Sequence, residues 1–92
     1  MNKVTVPEVK QYLGLDGGEQ DKLLTVLLEA AERVLEKVLR RKLARRITGI
    51  EKTATLYVVW QLYFNRDNEE FKPAEIESTV AIMLSDLREN RF

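Results

Sequence analysis

The stretch from Ile50 to Arg66, IEKTATLYVVWQLYFNR, constrains the fold of this chain more than any other. Between Thr53 and Phe64 only Thr53, Thr55 and Gln61 are not hydrophobic, and none of the three is charged. Apolar side chains therefore point in every direction around a helix, and such a helix must be enclosed by protein or lipid. A membrane span needs about 20 mainly apolar residues, and this run is shorter. The spacing predicts a buried central helix over about 49–65, with Trp60 near its middle. Tyr57, Trp60, Tyr63 and Phe64 are read as core side chains rather than as a surface for stacking bases.

Capping signals divide the rest of the chain. Thr5-Val6-Pro7-Glu8 has the form of a capping box, with Pro7 tolerated in the first turn and Gly14 placed to close a short helix. Asp16-Gly17-Gly18-Glu19 reads as a second box, opening a long helix from about Gly18 to about Arg41. Leu24, Leu27, Leu28, Ala31, Val34, Leu35, Val38 and Leu39 form its apolar face. Glu29–Arg33 and Glu36–Arg40 are spaced as i,i+4 ion pairs on its solvated side. Thr48-Gly49-Ile50-Glu51 is a third box and opens the central helix. Pro73 suits the first position of a last helix, whose stripe is Ile76, Val80, Met83, Leu84 and Leu87. No stretch alternates with a period of two. The expected fold is all-α, a small bundle of about four helices forming a single domain over residues 1–92.

With 92 residues, 45% of them hydrophobic and 33% charged, the chain can bury a modest core under a soluble surface. Its net charge is zero, but residues 1–46 carry 10 basic and 7 acidic side chains while residues 47–92 carry 5 and 8. One half is thus +3 and the other −3. The segment Arg40-Arg41-Lys42-Leu43-Ala44-Arg45-Arg46 concentrates the positive charge, with five of its seven positions basic. It reads either as cations suited to a helix C-terminus or a protein partner, or as a contact for phosphate. The acidic counterpart is Asp67-Asn68-Glu69-Glu70-Phe71-Lys72. There Phe71 is an apolar side chain in a polar loop, read as an anchor for another subunit or as folding back over the bundle.

Cysteine and histidine are both absent. Disulfides, Cys/His zinc sites, thiol nucleophiles and histidine bases are thereby excluded. Asp67, Glu69 and Glu70 lack the alternating oxygens and turn glycine of a calcium loop. Gly17-Gly18 is followed by Glu19, which would repel a phosphate. No nucleophile–base set can be assembled, and neither enzymatic activity, a metal nor a cofactor is expected. The opening MNKVTVPEVK contains no apolar h-region, so an intracellular protein, or a component of a particle assembled in a cell, is expected rather than a secreted one.

Three stretches in order, with their spacing, carry a family resemblance. The first is Val4 to Asp16 with the following acidic stretch to Asp21 and Leu23-Leu24. The second is Leu28-Glu29-Ala30-Ala31-Glu32. The third is Ile50 to Arg66 with its close Tyr63-Phe64-Asn65-Arg66, and Met83 to Arg88 is a weaker echo. In these the chain resembles the gp6-like head–tail connector family of tailed bacteriophages over nearly its whole length. It differs from the family pattern at 40–46, where an aromatic, a small residue, glycine and arginine are usual and the following loop is longer.

The resemblance implies a structural adaptor of a phage or prophage, without catalytic activity. It would form a ring, twelvefold to match a portal, beneath the portal protein once DNA has been packaged, and would provide the platform for a tail-completion protein. DNA would pass through the ring without sequence-specific contact, and no membrane is involved. The expected location is the virion neck, with the host cytoplasm during assembly. A ring needs one face of a subunit to meet a different face of the next. The expected contact joins Arg40, Arg41, Arg45 and Arg46 of one subunit to Asp67, Glu69 and Glu70 of a neighbour, with Phe71 as apolar anchor. The free protein is expected to be largely monomeric. The alternative is a small helical DNA-binding module that uses the basic segment 40–46.

Overall fold

The computed structural model describes residues 3–67, 70 and 73–89, with side chains on the last helix described from 74 to 85. Four helices follow one another: α1 (Val6–Leu13), α2 (Asp21–Leu39), α3 (Gly49–Phe64) and α4 (Pro73–Glu89). No strand occurs among the described residues, and the fold is the small all-α bundle that the periodicity predicts.

Local chemistry places most of the helix ends. Thr5 Oγ1 accepts the Glu8 N–H at 3.4 Å while Glu8 Oε1 accepts the Thr5 N–H at 3.1 Å, closing the first capping box. Gly14 ends α1 in the left-handed region at φ 73°, and its N–H returns to the carbonyls of Lys10 and Gln11. The box at Thr48 and Glu51 forms as well, with its two bonds at 2.8 and 3.1 Å. Pro73 opens α4, the position its missing N–H favours.

The box expected at Asp16 does not form. Gly17 takes φ 81° and the turn continues to Gln20, which caps α2 without a side-chain hydrogen bond. Two adjacent glycines make non-helical backbone cheap, and the first acidic side chain of α2, Asp21, pairs with Lys10 of α1 at 3.0 Å. The far end of α2 also differs from expectation. The helix stops at Leu39, and Arg40 turns into the left-handed region at φ 59°. Glu36 does not pair with Arg40, nor Glu29 with Arg33, among the described residues.

The core joins Leu24, Leu28, Ala31 and Leu35 of α2 to Ala54, Val58, Val59 and Tyr63 of α3 and Ile76, Val80 and Leu84 of α4, with Val9 of α1 beneath. Leu87, expected on the α4 stripe, lies outside the described side chains. α3 touches all three other helices, and α2 most extensively. Ion pairs tie the helices at their rims, Lys52 of α3 to Glu8 of α1 and Lys37 of α2 to Glu77 of α4.

One expectation for α3 is corrected. Its buried face runs through Glu51, Ala54, Thr55, Val58, Val59 and Tyr63. Thr53, Trp60 and Phe64 on the other side are exposed, with Leu56 and Tyr57 half-buried between them. Trp60 is 40% exposed and Phe64 56%. The bundle measures 19 Å across its thinnest direction. Packed helix axes lie about 8–10 Å apart, so this thickness holds about two layers, too few to enclose a helix on every side.

Candidate interaction surface

The basic segment is an arm held against the bundle between α2 and α3. After Arg40 turns left-handed, the Leu43 N–H donates to Glu36 Oε2 at 3.0 Å. Arg41 Nη2 donates to Glu51 Oε2 at 3.1 Å, and the Glu51 side chain is only 5% exposed. Leu43 and Ile47, four residues apart, drop into the core at 6% and 4% exposure. The arm is thus pinned by two carboxylates and two aliphatic plugs. Arg40, Lys42, Arg45 and Arg46 are exposed around these fixings.

This differs from a helix C-terminus decorated with cations. A non-glycine residue in the left-handed region costs about 1–2 kcal/mol, and glycine at position 40 would relieve it. The chain keeps a cation there instead, and so keeps four outward-facing charges on one short connection.

The acidic counterpart lies beyond the other end of α3. Asp67 and Glu70 are exposed. Glu69 and Phe71, the other residues expected at this contact, lie outside the described residues. α3 has 16 residues, about 24 Å at 1.5 Å per residue. The arm and the acidic turn are therefore at opposite ends of one helix. The structure brings Arg40, Arg41, Arg45 and Arg46 into one element, but not alongside Asp67 and Glu70.

Two features of this surface were not read from the sequence as part of it. Glu51 was legible only as a capping residue, because its second partner lies ten positions upstream in a non-helical segment. The second feature is the aromatic end of α3. Trp60 and Phe64 sit with ring centroids 5.2 Å apart and tilted by 49°, and the Tyr63 and Phe64 rings meet edge-on at 5.2 Å. Arg66 folds back so that its guanidinium carbon lies 4.3 Å from the Tyr63 ring centroid, with Nη1 donating to the Tyr63 carbonyl. The i,i+4 spacing of Trp60 and Phe64 was the available signal.

Two carboxylates carry shifted pKa values, in opposite senses. The hydrogen bond from Lys52 holds Glu8 below the usual 4.5, with the Thr5 bonds adding to it against a smaller desolvation effect. Partial burial pushes Glu32 above that value; Lys3 opposes the shift while Glu36 and Glu29 add to it. Glu8 borders a shallow, open groove with Gln11, Tyr12 and Leu56. A cavity of about 90 Å³ lies between α1 and the turn before α2, bordered by Lys10, Asp16, Gln20 and Leu24. It has room for a few waters, and more open grooves of about 490 and 450 Å³ lie beside Val6, Gln11 and Leu15 and beside Lys37, Arg40 and Glu77.

The described residues thus form an all-α bundle with a pinned basic arm, an acidic turn and an exposed aromatic end. Comparison with known families identifies the class: the model of the phage gp6-like head-tail connector proteins matches residues 3–88, and the chain belongs to that family. It is a phage structural adaptor from a family of structural rather than enzymatic proteins, a component of the virion neck whose partners are other head and tail proteins. No curated protein and no solved structure matches the chain. No described helix is long and apolar enough to cross a membrane.

Proposed function

We propose that this chain, as one connector domain over residues 1–92, assembles into a ring beneath a portal protein and joins a phage head to its tail. The ring is twelvefold to match the portal, receives a tail-completion protein on its other side, and lets DNA pass without sequence-specific contact. It assembles in the host cytoplasm after packaging and acts without a catalytic step.

The observation that carries this reading is the family match over residues 3–88. The placement of charge supports it. A closed ring requires a heterologous contact, and the arm and the acidic turn stand at opposite ends of α3. Arg40, Arg45 and Arg46 of one subunit meet Asp67, Glu69 and Glu70 of the next, with Phe71 as apolar anchor. Arg41, already bound to Glu51, contributes chiefly by holding the arm in place.

Light scattering after size-exclusion chromatography, from dilute to concentrated protein at low salt, tests the reading. The wild type is expected to pass from monomer to one large uniform species. R45E/R46E is expected to remain small with helicity intact. Normal assembly of that variant would overturn the proposed contact. A small wild-type species at every concentration that binds duplex DNA with a steep salt dependence would instead favour a DNA-binding module built on 40–46.

A further inference from the structure

We propose that the exposed aromatic end of α3, Trp60 and Phe64, is the seat of the arm of a second copy of this chain, with the guanidinium groups of Arg45 and Arg46 stacking on the two rings. The inference rests on the ring-adaptor reading and adds to it an aromatic surface next to the acidic turn.

The platform exists before any partner arrives. Leu56, Trp60 and Phe64 follow at i,i+4 spacing along one side of α3, and Leu56 shares a shallow groove with Glu8, Gln11 and Tyr12 of α1. Tyr12 is itself 51% exposed, so the apolar strip extends from α1 to the end of α3. Contiguous exposed apolar surface on a small domain marks an interaction site. Here it is rigid, because Tyr63, 7% exposed and rooted in the core, holds Phe64 edge-on.

Its surroundings select a cation. α3 ends here with its negative dipole end, carries no basic residue in its last turn, and leads into Arg66, which is turned back onto Tyr63, and then Asp67 and Glu70. An aromatic face beside carboxylates suits a guanidinium, which stacks and pairs at once. Arg66 on the Tyr63 ring shows the same chemistry within the chain.

The arm supplies such groups in a fixed position, with Arg45 and Arg46 exposed. It cannot serve its own platform. Trp60 lies eleven residues along α3 from Gly49, about 17 Å by helical rise, and Phe64 lies one turn further. Only a second copy brings the two together. Aromatic and arginine side chains are also the ones that dominate binding energy at interfaces.

The test uses the full chain and its single tryptophan, Trp60. Raising the wild-type concentration at low salt should produce oligomers and shift tryptophan emission to the blue as the ring is covered. W60A/F64A and R45E/R46E should each remain monomeric with wild-type helicity. Mixed one to one, they should form a heterodimer and stop there, because only one intact arm and one intact platform remain. R45K/R46K leaves α3 untouched and keeps the charge, yet should associate about tenfold more weakly, since lysine lacks the planar stack. Association of W60A/F64A like the wild type would remove the platform and leave the adaptor reading intact. Self-association of R45E/R46E with a blue shift would mean that the rings meet each other, and would overturn the arm as occupant. A wild type that is monomeric at every concentration would overturn the platform as a seat for a second free copy and leave the adaptor reading, in which the portal nucleates the ring, intact.

Discussion

Arg41 reaches the nearly buried carboxylate of Glu51 across ten residues of sequence, Nη2 to Oε2 at 3.1 Å, while the other oxygen of that carboxylate accepts the Thr48 N–H at 2.8 Å. One side chain therefore caps α3 and fastens the basic arm. The two roles separate by substitution. Glu51→Gln retains a residue suited to the capping box but loses the ion pair. Glu51→Ala loses both. Chemical denaturation should show a loss of about 1–2 kcal/mol for Glu51→Ala and a smaller loss for Glu51→Gln. Equal losses would mean that the ion pair carries the whole effect.

The two aliphatic plugs give a second handle on the arm. Leu43→Ala removes a side chain that is 6% exposed, and large-to-small changes at such sites cost about 2–5 kcal/mol. Against a total of about 5–15 kcal/mol this is severe, so the milder Ile47→Val, costing about 0.5–1.5 kcal/mol, is the better probe of assembly. A Leu43→Ala protein with wild-type stability would show that the arm is not anchored through this side chain.

Position 40 should respond in the opposite direction. Arg40→Gly removes the left-handed strain at φ 59° and is expected to stabilise the fold by about 1 kcal/mol. For a domain of this size that raises Tm by about 4–8 °C. The same substitution removes one of the arm's exposed cations and should weaken self-association. Greater stability with weaker assembly would establish that the strain is retained for the charge.

The shifted carboxylates predict two opposite pH effects. Glu8 has a lowered folded-state pKa. Its contribution is present above the usual 4.5 and is lost as pH falls through the lower folded value. Glu32 has a raised folded-state pKa, so the folded state binds its proton more tightly. That contribution is full below the ordinary carboxylate value and is lost as pH rises through the folded one. Glu32→Gln should therefore stabilise at pH 7 and gain nothing in acid, whereas Glu8→Gln should destabilise at pH 7 and converge with the wild type in acid. Denaturation midpoints measured from pH 3 to 7 check both, and parallel curves would contradict them.

What was legible in the sequence was local. The capping boxes at Thr5 and Thr48 could be read because donor and acceptor lie three residues apart, and Gly14 and Pro73 because each carries a backbone preference wherever it stands. The box at Asp16 misled because its competitors, a permissive Gly17-Gly18 turn and a lysine on the preceding helix, act through three dimensions. The path of the arm was hidden for the same reason, although Leu43 and Ile47 among the cations were a signal of burial. In α3 the pattern was read correctly as apolar all round. What it could not supply was the number of layers available to cover that helix, and the uncovered side became surface. Of the candidate contact, the two charged clusters are visible in the sequence, whereas Trp60 and Phe64 have the spacing of core residues and are exposed in the fold.

The opposite-end placement of arm and platform has a mechanical consequence. In the proposed head-to-tail ring each subunit would be gripped at both ends of α3, so tension between neighbouring copies would be carried through that helix. That tension would fall on its ladder of backbone hydrogen bonds and, at the end nearest the arm, on the Thr48–Glu51 cap with the Arg41 tether. Under pulling, the first bonds to yield should be those of this tether, making α3 a tie rod whose weakest joint is its amino-terminal fitting.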